Sequence, residues 1–297
     1  VKKVFANYTN CGALFRQIRR RRQLTIHNVQ GNLHKTAISY FENKNANIRL
    51  LNLMEILKPT FMEPQEFFEL IDDSNGQLRV LLTKVSTSYK NLDLPSLREL
   101  LDVYDSNVEK ETPQYMLKLV IVSCIANLEK KNPIFSDEEE ERIQQFLLAE
   151  GPWFHFEYLI YANLCHSLSH PINDRILRHM LKKYREFHLS SYDEAFFGTF
   201  YNISARYLQD RDYERSSTML DMISEFPAKH TALYVRHHVT FVRLVVSIHE
   251  RKNQSAKTDL AVLLRATKLI DPSLYKMNIE WLKLLDLDPE SLLATNV

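Results

Sequence analysis

Five arginines, Arg16, Arg19, Arg20, Arg21 and Arg22, crowd together near the start of the chain, and Lys35, Lys44, Arg49 and Lys58 follow. Cationic groups at this density suit one kind of chemistry: displacing the counterions condensed on a polyanion such as nucleic acid. The first 60 residues hold 11 Lys and Arg against two acids, Glu42 and Glu55, a balance of +9. The remaining 237 residues hold 27 basic and 35 acidic side chains, a balance of −8. A basic head joined to an acidic body points to two separate tasks.

Other chemistries lack their residues. No Walker loop, GxGxxG, GxSxG or HExxH occurs, and five scattered glycines cannot build a phosphate cradle. His237-His238 and His249-Glu250 lack the i, i+4 partners that a zinc site wants. Cys11, Cys124 and Cys165 form no metal-binding spacing and fit a reduced compartment. Cys11, beside the basic head, leaves an intermolecular disulfide open. Neither enzymatic activity nor a cofactor or metal is expected. Lys2 and Lys3 lead into polar Asn7–Asn10, so no secretory signal is expected. The longest apolar run, around Leu119 to Ala126, is too short for a bilayer. The expectation is a cytoplasmic protein with no membrane partner.

The elements that must position the charged groups read as helices throughout, so the fold class is all-α. Strand-type alternation is hard to find, and ten prolines punctuate the chain at starts and breaks, since proline inside a helix costs about 3 kcal/mol. Leu97, Leu100, Leu101, Tyr104 and Val108 after Pro95 fall on one helical face, and Leu177, Met180, Leu181 and Tyr184 after Pro171 repeat the pattern. Ser136 ahead of the acidic run Asp137 to Glu141 reads as a helix start. Beyond residue 60 the helices are joined by short connections, which favours antiparallel hairpins stacked as an α-solenoid. Asp212-Tyr213-Glu214-Arg215-Ser216, then Leu220 and Ile223, resembles the second half of a tetratricopeptide repeat. Domains are therefore expected at 1–60, the basic head, and 61–297, a TPR-like body.

Within the head, a helix is expected from about Gly12 to Arg22, a second from Ile26 to Gln30 behind Leu24-Thr25, and a third opening at Lys35-Thr36 with Ile38 and Phe41 inward. Leu50, Leu53 and Leu57 close the bundle. This order, with Ile38-Ser39-x-Phe41-Glu42 ahead of an Asn-rich loop, resembles the helix-turn-helix domain of the Cro-repressor (XRE) type. In such domains the start of the third helix enters the major groove. The resemblance implies that His34, Lys35, Thr36, Ser39 and Tyr40 touch DNA, with Lys35 and Thr36 nearest the base edges. Arg19, Arg22, Asn45 and Arg49 would hold phosphates. The stretch from Leu24 to Ile38 is about two residues shorter than in the phage repressors, which leaves the register of the reading residues open.

The body carries Trp153-Phe154-His155-Phe156-Glu157, continuing to Tyr161-Ala162-Asn163. This W-x-x-aromatic-E-x5-N pattern, behind a head in which Ile38-Ser39-x-Phe41-Glu42 is followed by Leu50-Leu51-Asn52-Leu53, resembles the Rgg (Rgg/GadR/MutR) regulators. The resemblance implies a homodimeric transcription regulator on double-stranded DNA, switched by a short hydrophobic peptide on the concave face of the repeats. An extended peptide needs amides for its backbone, a cation for its carboxylate and aromatic walls for its side chains. Tyr158, Asn163, Tyr201, Asn202, Arg206, Arg236 and Phe241 lie on segments that could supply these. Most aromatics here, Trp153 and Phe156 among them, are read as core, and Glu157 as a structural hydrogen-bond partner. The C-terminal helix around Ile279, Trp281, Leu282 and Leu285 could cap the array or form the dimer contact. Two alternatives stay open: a protein-interaction scaffold, and a regulator answering to a small molecule or partner protein.

Overall fold

Asn10 opens the first helix of the head: its Oδ1 accepts the Ala13 amide at 2.9 Å, and α1 runs Cys11–Arg21. In this computed structural model, residues 10–44, 46–71, 77–105, 112–131, 134–187, 189–224, 226, 233–250, 253 and 255–294 are described. Thr25 and Asn28 form a reciprocal capping box for α2, Ile26–Val29. The third helix, α3, spans Lys35–Lys44, and α4 spans Leu50–Leu57. The four helices close on Leu14, Phe15, Ile18, Val29, Ile38, Phe41, Leu53, Ile56 and Leu57.

That core does not stop at residue 60. Met62 and Phe67, the latter on α5 (Pro64–Ile71), are buried in the same cluster. The chain divides into two compact units, Val1–Asn91 and Leu92–Val297. The first thus includes α5 and α6 (Gln77–Lys90), some 30 residues more than the sequence boundary at 60 gave the head.

The second unit is a run of helix pairs. It contains α7 (Leu94–Asp105), α8 (Pro113–Leu128), α9 (Asp137–Leu147), α10 (His155–Leu164), α11 (His170–Glu186) and α12 (Asp193–Gln209). There follow α13 (Tyr213–Ser224), α14 (Leu233–His249), α15 (Ala256–Ile270), α16 (Pro272–Leu284) and α17 (Pro289–Leu293). One layer is made by α8, α10, α12 and α14, each packed on the next, while α13 packs on α12 and α14. Ser204 and Ser216 staple the α12–α13 hairpin, each hydroxyl donating to the other's carbonyl at 3.1 and 3.0 Å. Ser136 caps α9 as its acidic run foretold, with Glu139 returning to the Ser136 amide at 2.8 Å. An aromatic core surrounds Tyr184, whose ring stacks on Phe196 at 3.6 Å.

With few glycines to end helices, other residues take the left-handed position. Gln23, Lys130, Arg211 and Asp286 have φ of 57°, 55°, 60° and 58°. After each, the next amide bonds back five residues, as in Lys131 N to Ala126 O at 2.9 Å and Asp212 N to Tyr207 O at 2.8 Å. Among the described residues no helix is long and apolar enough to cross a membrane.

Candidate nucleic-acid and peptide sites

Gly12 sets how α1 meets α3. A Cβ on Gly12 would fall 1.7 Å from the Phe41 carbonyl oxygen, so only glycine permits this approach. The close contact fixes α3 and leaves its first turn outward. His34, Lys35 and Thr36 are exposed, Ser39 is half-buried, and Tyr40 is exposed with the Lys44 ammonium 4.4 Å over its ring. Asn43 bridges the two helices: Arg16 Nη1 donates to its Oδ1 at 2.7 Å, and its Nδ2 donates to Ser39 O at 2.8 Å. Arg20, Arg21 and Arg22 are exposed, as is Arg49 ahead of α4. Asn45 lies outside the described residues.

Arg19 is a correction. Assigned to phosphate from the sequence, it is only 8% exposed. Its Nε and Nη2 meet Glu42 Oε1 and Oε2 at 2.6 and 2.7 Å, and Nη1 donates to Leu24 O at 2.7 Å. Hydrogen bonding to Glu42 raises its already high pKa. All three guanidinium nitrogens are committed inside the bundle, so this side chain positions α3 rather than holding DNA. The clue lay in Glu42, one of only two acids in the basic head.

In the body the W-x-x-aromatic-E-x5-N pattern acquires a mechanical account. Trp153 is buried and donates from Nε1 to Leu147 O at 3.1 Å, locking the corner between α9 and α10. Glu157 accepts the Phe154 amide at 2.8 Å and so caps α10. Asn163 follows on that helix, half-buried, donating from Nδ2 to Leu159 O at 2.7 Å. On α12, Asn202 donates from Nδ2 to Ala162 O at 2.8 Å. Because both partners are carbonyls, only the NH2 ends can face them, and each amide oxygen is left as an acceptor. Among the described residues no donor bonds to either oxygen.

Tyr201 is half-buried, stacked on His238 at 4.0 Å and 6.4 Å from the Trp281 ring. Arg206 donates from Nη1 to His166 O and pairs through Nε with Asp210 at 3.2 Å. Arg236 is exposed on α14. Two other candidates are corrections. Tyr158 and Phe241 are each 0% exposed. Tyr158 packs edge-on against Trp153 at 5.2 Å and lies 5.5 Å from Tyr192, and burial pushes its phenol pKa upward. Both rings fill the layers between helices and present no wall to a ligand.

Polar groups missed from the sequence sit beneath this surface. His237 Nε2 lies 2.8 Å from Thr267 Oγ1 and 3.2 Å from Asn278 Nδ2, and His237 Nδ1 lies 3.4 Å from His238 Nδ1. Burial, and then the neighbouring His237, hold His238 down to about 3. Burial likewise lowers His237, with Asp271 opposing. Burial and the Arg206 charge lower His166 to about 4.

Among the described residues a helix-turn-helix head is followed by a body of paired helices. Residues 98–278 match the family model described as the HTH-type transcriptional regulator Rgg, C-terminal domain, and the chain belongs to that family. Among solved structures, a transcriptional regulator from Listeria monocytogenes EGD-e is similar at 17% identity and TM-score 0.76, covering 95% of this chain and all of that one. The SHP pheromone receptor Rgg2 of Streptococcus dysgalactiae is similar at 19% identity and TM-score 0.72, covering 92% of this chain and 99% of that one. PrgX in complex with cCF10 gives 15% identity and TM-score 0.74, covering 93% and 92%. At these identities the likeness is one of fold. No curated protein matches.

Proposed function

We propose that this Rgg-family chain is a cytoplasmic homodimeric regulator that reads duplex DNA through the start of α3 and is switched by a short apolar peptide on its body. The observation that carries the reading is the outward first turn of α3, with His34, Lys35 and Thr36 exposed in a segment of +9 charge. Lys35 and Thr36 reach base edges, while Arg22, Arg49 and Asn45 neutralise phosphates. Asn163, Asn202, Tyr201, Arg206 and Arg236 serve the peptide, the two amides accepting N–H groups of its extended backbone. Two similar structures support this half of the reading: Rgg2 is an SHP pheromone receptor, and another is a bacterial peptide pheromone/receptor complex. Peptide acts through unequal affinity for DNA-competent and incompetent arrangements of the dimer.

Selection of random duplex DNA by the purified full-length protein tests the proposal. Enrichment of a palindrome with half-sites about 34 Å apart is expected. Retention only at low salt, with no enriched motif, would overturn it and favour an interaction scaffold.

A further inference from the structure

The four described glycines divide unevenly. Gly12 is required by the approach of α3, and Gly31 and Gly151 stand at φ +51° and +107° in turns. Gly198 has neither reason. It sits within α12, Asp193–Gln209, without a positive φ, and a Cβ there would meet nothing within 4 Å. Glycine inside a helix is destabilising relative to alanine, and here no packing demands it.

The helical repeat says where that open space is. Ser204 faces α13 through its bonds to Ser216. Gly198 lies six residues earlier, which at about 100° per residue turns it roughly 120° round α12, away from the face that meets α13. It falls one turn from Asn202, which reaches α10, and from Tyr201, which stacks on α14. The missing side chain is thus centred between the amide acceptor and the aromatic wall.

We infer that Gly198 is a close-approach position where the main chain of an extended apolar peptide lies directly against α12. This rests on the peptide reading above and adds a specificity element to it. With no Cβ at 198, a ligand backbone can settle deep enough for its N–H groups to reach the Asn163 and Asn202 oxygens. A side chain there lifts the ligand away from both. The same glycine selects against ligands whose bulk faces α12 at that point.

The test uses the full chain and a library of free-termini synthetic apolar peptides of roughly eight to ten residues, a length that spans three interhelical steps of about 9 Å. Melting temperature is read with and without peptide, and affinity is measured for the best binder. Gly198→Ala is expected to raise the melting temperature of the peptide-free protein by roughly 2–4 °C while weakening peptide affinity about tenfold or more. Gly198→Leu is expected to fold and to lose binding. If wild type binds and both variants bind equally well, the close-approach role is wrong and the peptide reading stands. A lower melting temperature for peptide-free Gly198→Ala would show that folding needs the glycine and would also overturn the inference. If no library member stabilises wild type, the peptide reading itself fails, and the inference with it.

Discussion

The guanidinium of Arg19 grips both oxygens of Glu42, at 2.6 and 2.7 Å, across the seam between α1 and α3. Both side chains are buried. Removing one partner of a buried pair leaves an uncompensated charge, which costs about 3–5 kcal/mol. Glu42→Gln is therefore expected to destabilise the first unit by about that amount in urea unfolding of the full chain. The double change Arg19→Met with Glu42→Leu should recover most of the loss, because an apolar pair of similar volume replaces the ions. A double variant as unstable as the single one would count against this account.

Arg22 and Lys35 are exposed, so their replacement should leave stability within about 0.5 kcal/mol of wild type. Lys35→Ala should abolish selective binding to the enriched duplex. Arg22→Ala should weaken binding evenly across sequences and reduce the salt slope by about one. Fluorescence anisotropy at several salt concentrations separates the two. An unchanged preference in Lys35→Ala would remove that residue from the base edges.

Gly12→Ala must drive the Cβ into the Phe41 carbonyl, and α1 and α3 have to separate. A loss of roughly 1–3 kcal/mol is expected, the range for overpacking, with DNA binding lost alongside. Equal stability in a denaturant titration would mean that the two helices are less tightly held than the geometry indicates.

Histidines give the body a pH dependence of definite sign. His238 and His166 are held to about 3 and about 4 by burial, below their ordinary value of 6.5. The unfolded chain therefore binds more protons, and the stability from neutral imidazoles is full above about pH 6.5 and declines toward the folded values. The groups facing them reinforce or temper this: Arg206 disfavours a second cation at His166, and Asp271 partly favours one at His237. Melting temperature should fall between pH 7 and pH 5, and His238→Phe should flatten that slope. An identical slope in the variant would place the acid sensitivity elsewhere.

Lys130 ends α8 at φ 55°, a conformation that costs a residue with a Cβ roughly 1 kcal/mol. Lys130→Gly should raise stability by about 0.5–1 kcal/mol in thermal melts. A fall would mean that the flexibility gained by the unfolded chain outweighs the strain relieved.

Local signals were the legible part of the sequence. The Thr25 and Ser136 caps, the opening of α3 at Lys35 and the Asp212–Ser216 start of a repeat helix are written within a few residues, and the structure has them. The long-range contacts were not legible in that way. Nothing near Phe67 says that it folds back into the core of α1 to α4. Tyr158 and Phe241 fall on stacked helices that bury more than one face, so the apolar period does not tell a groove wall from an interlayer contact. Arg19 could have been told from Arg20 and Arg21 by phase, and Arg22, which shares that phase, lies just past the end of α1. Arg19 lies four residues after Phe15 and one after Ile18, on the side of α1 that turns inward.

The chain has two tryptophans, and the fold puts them in unlike surroundings. Trp153 is sealed between α9 and α10, whereas Trp281 is half-buried near Tyr201. The protein therefore carries its own optical reporter. Emission from Trp153 should be blue-shifted and insensitive to added solutes, a built-in reference. The redder emission and solute quenching of Trp281 should change when something occupies the surface beside it.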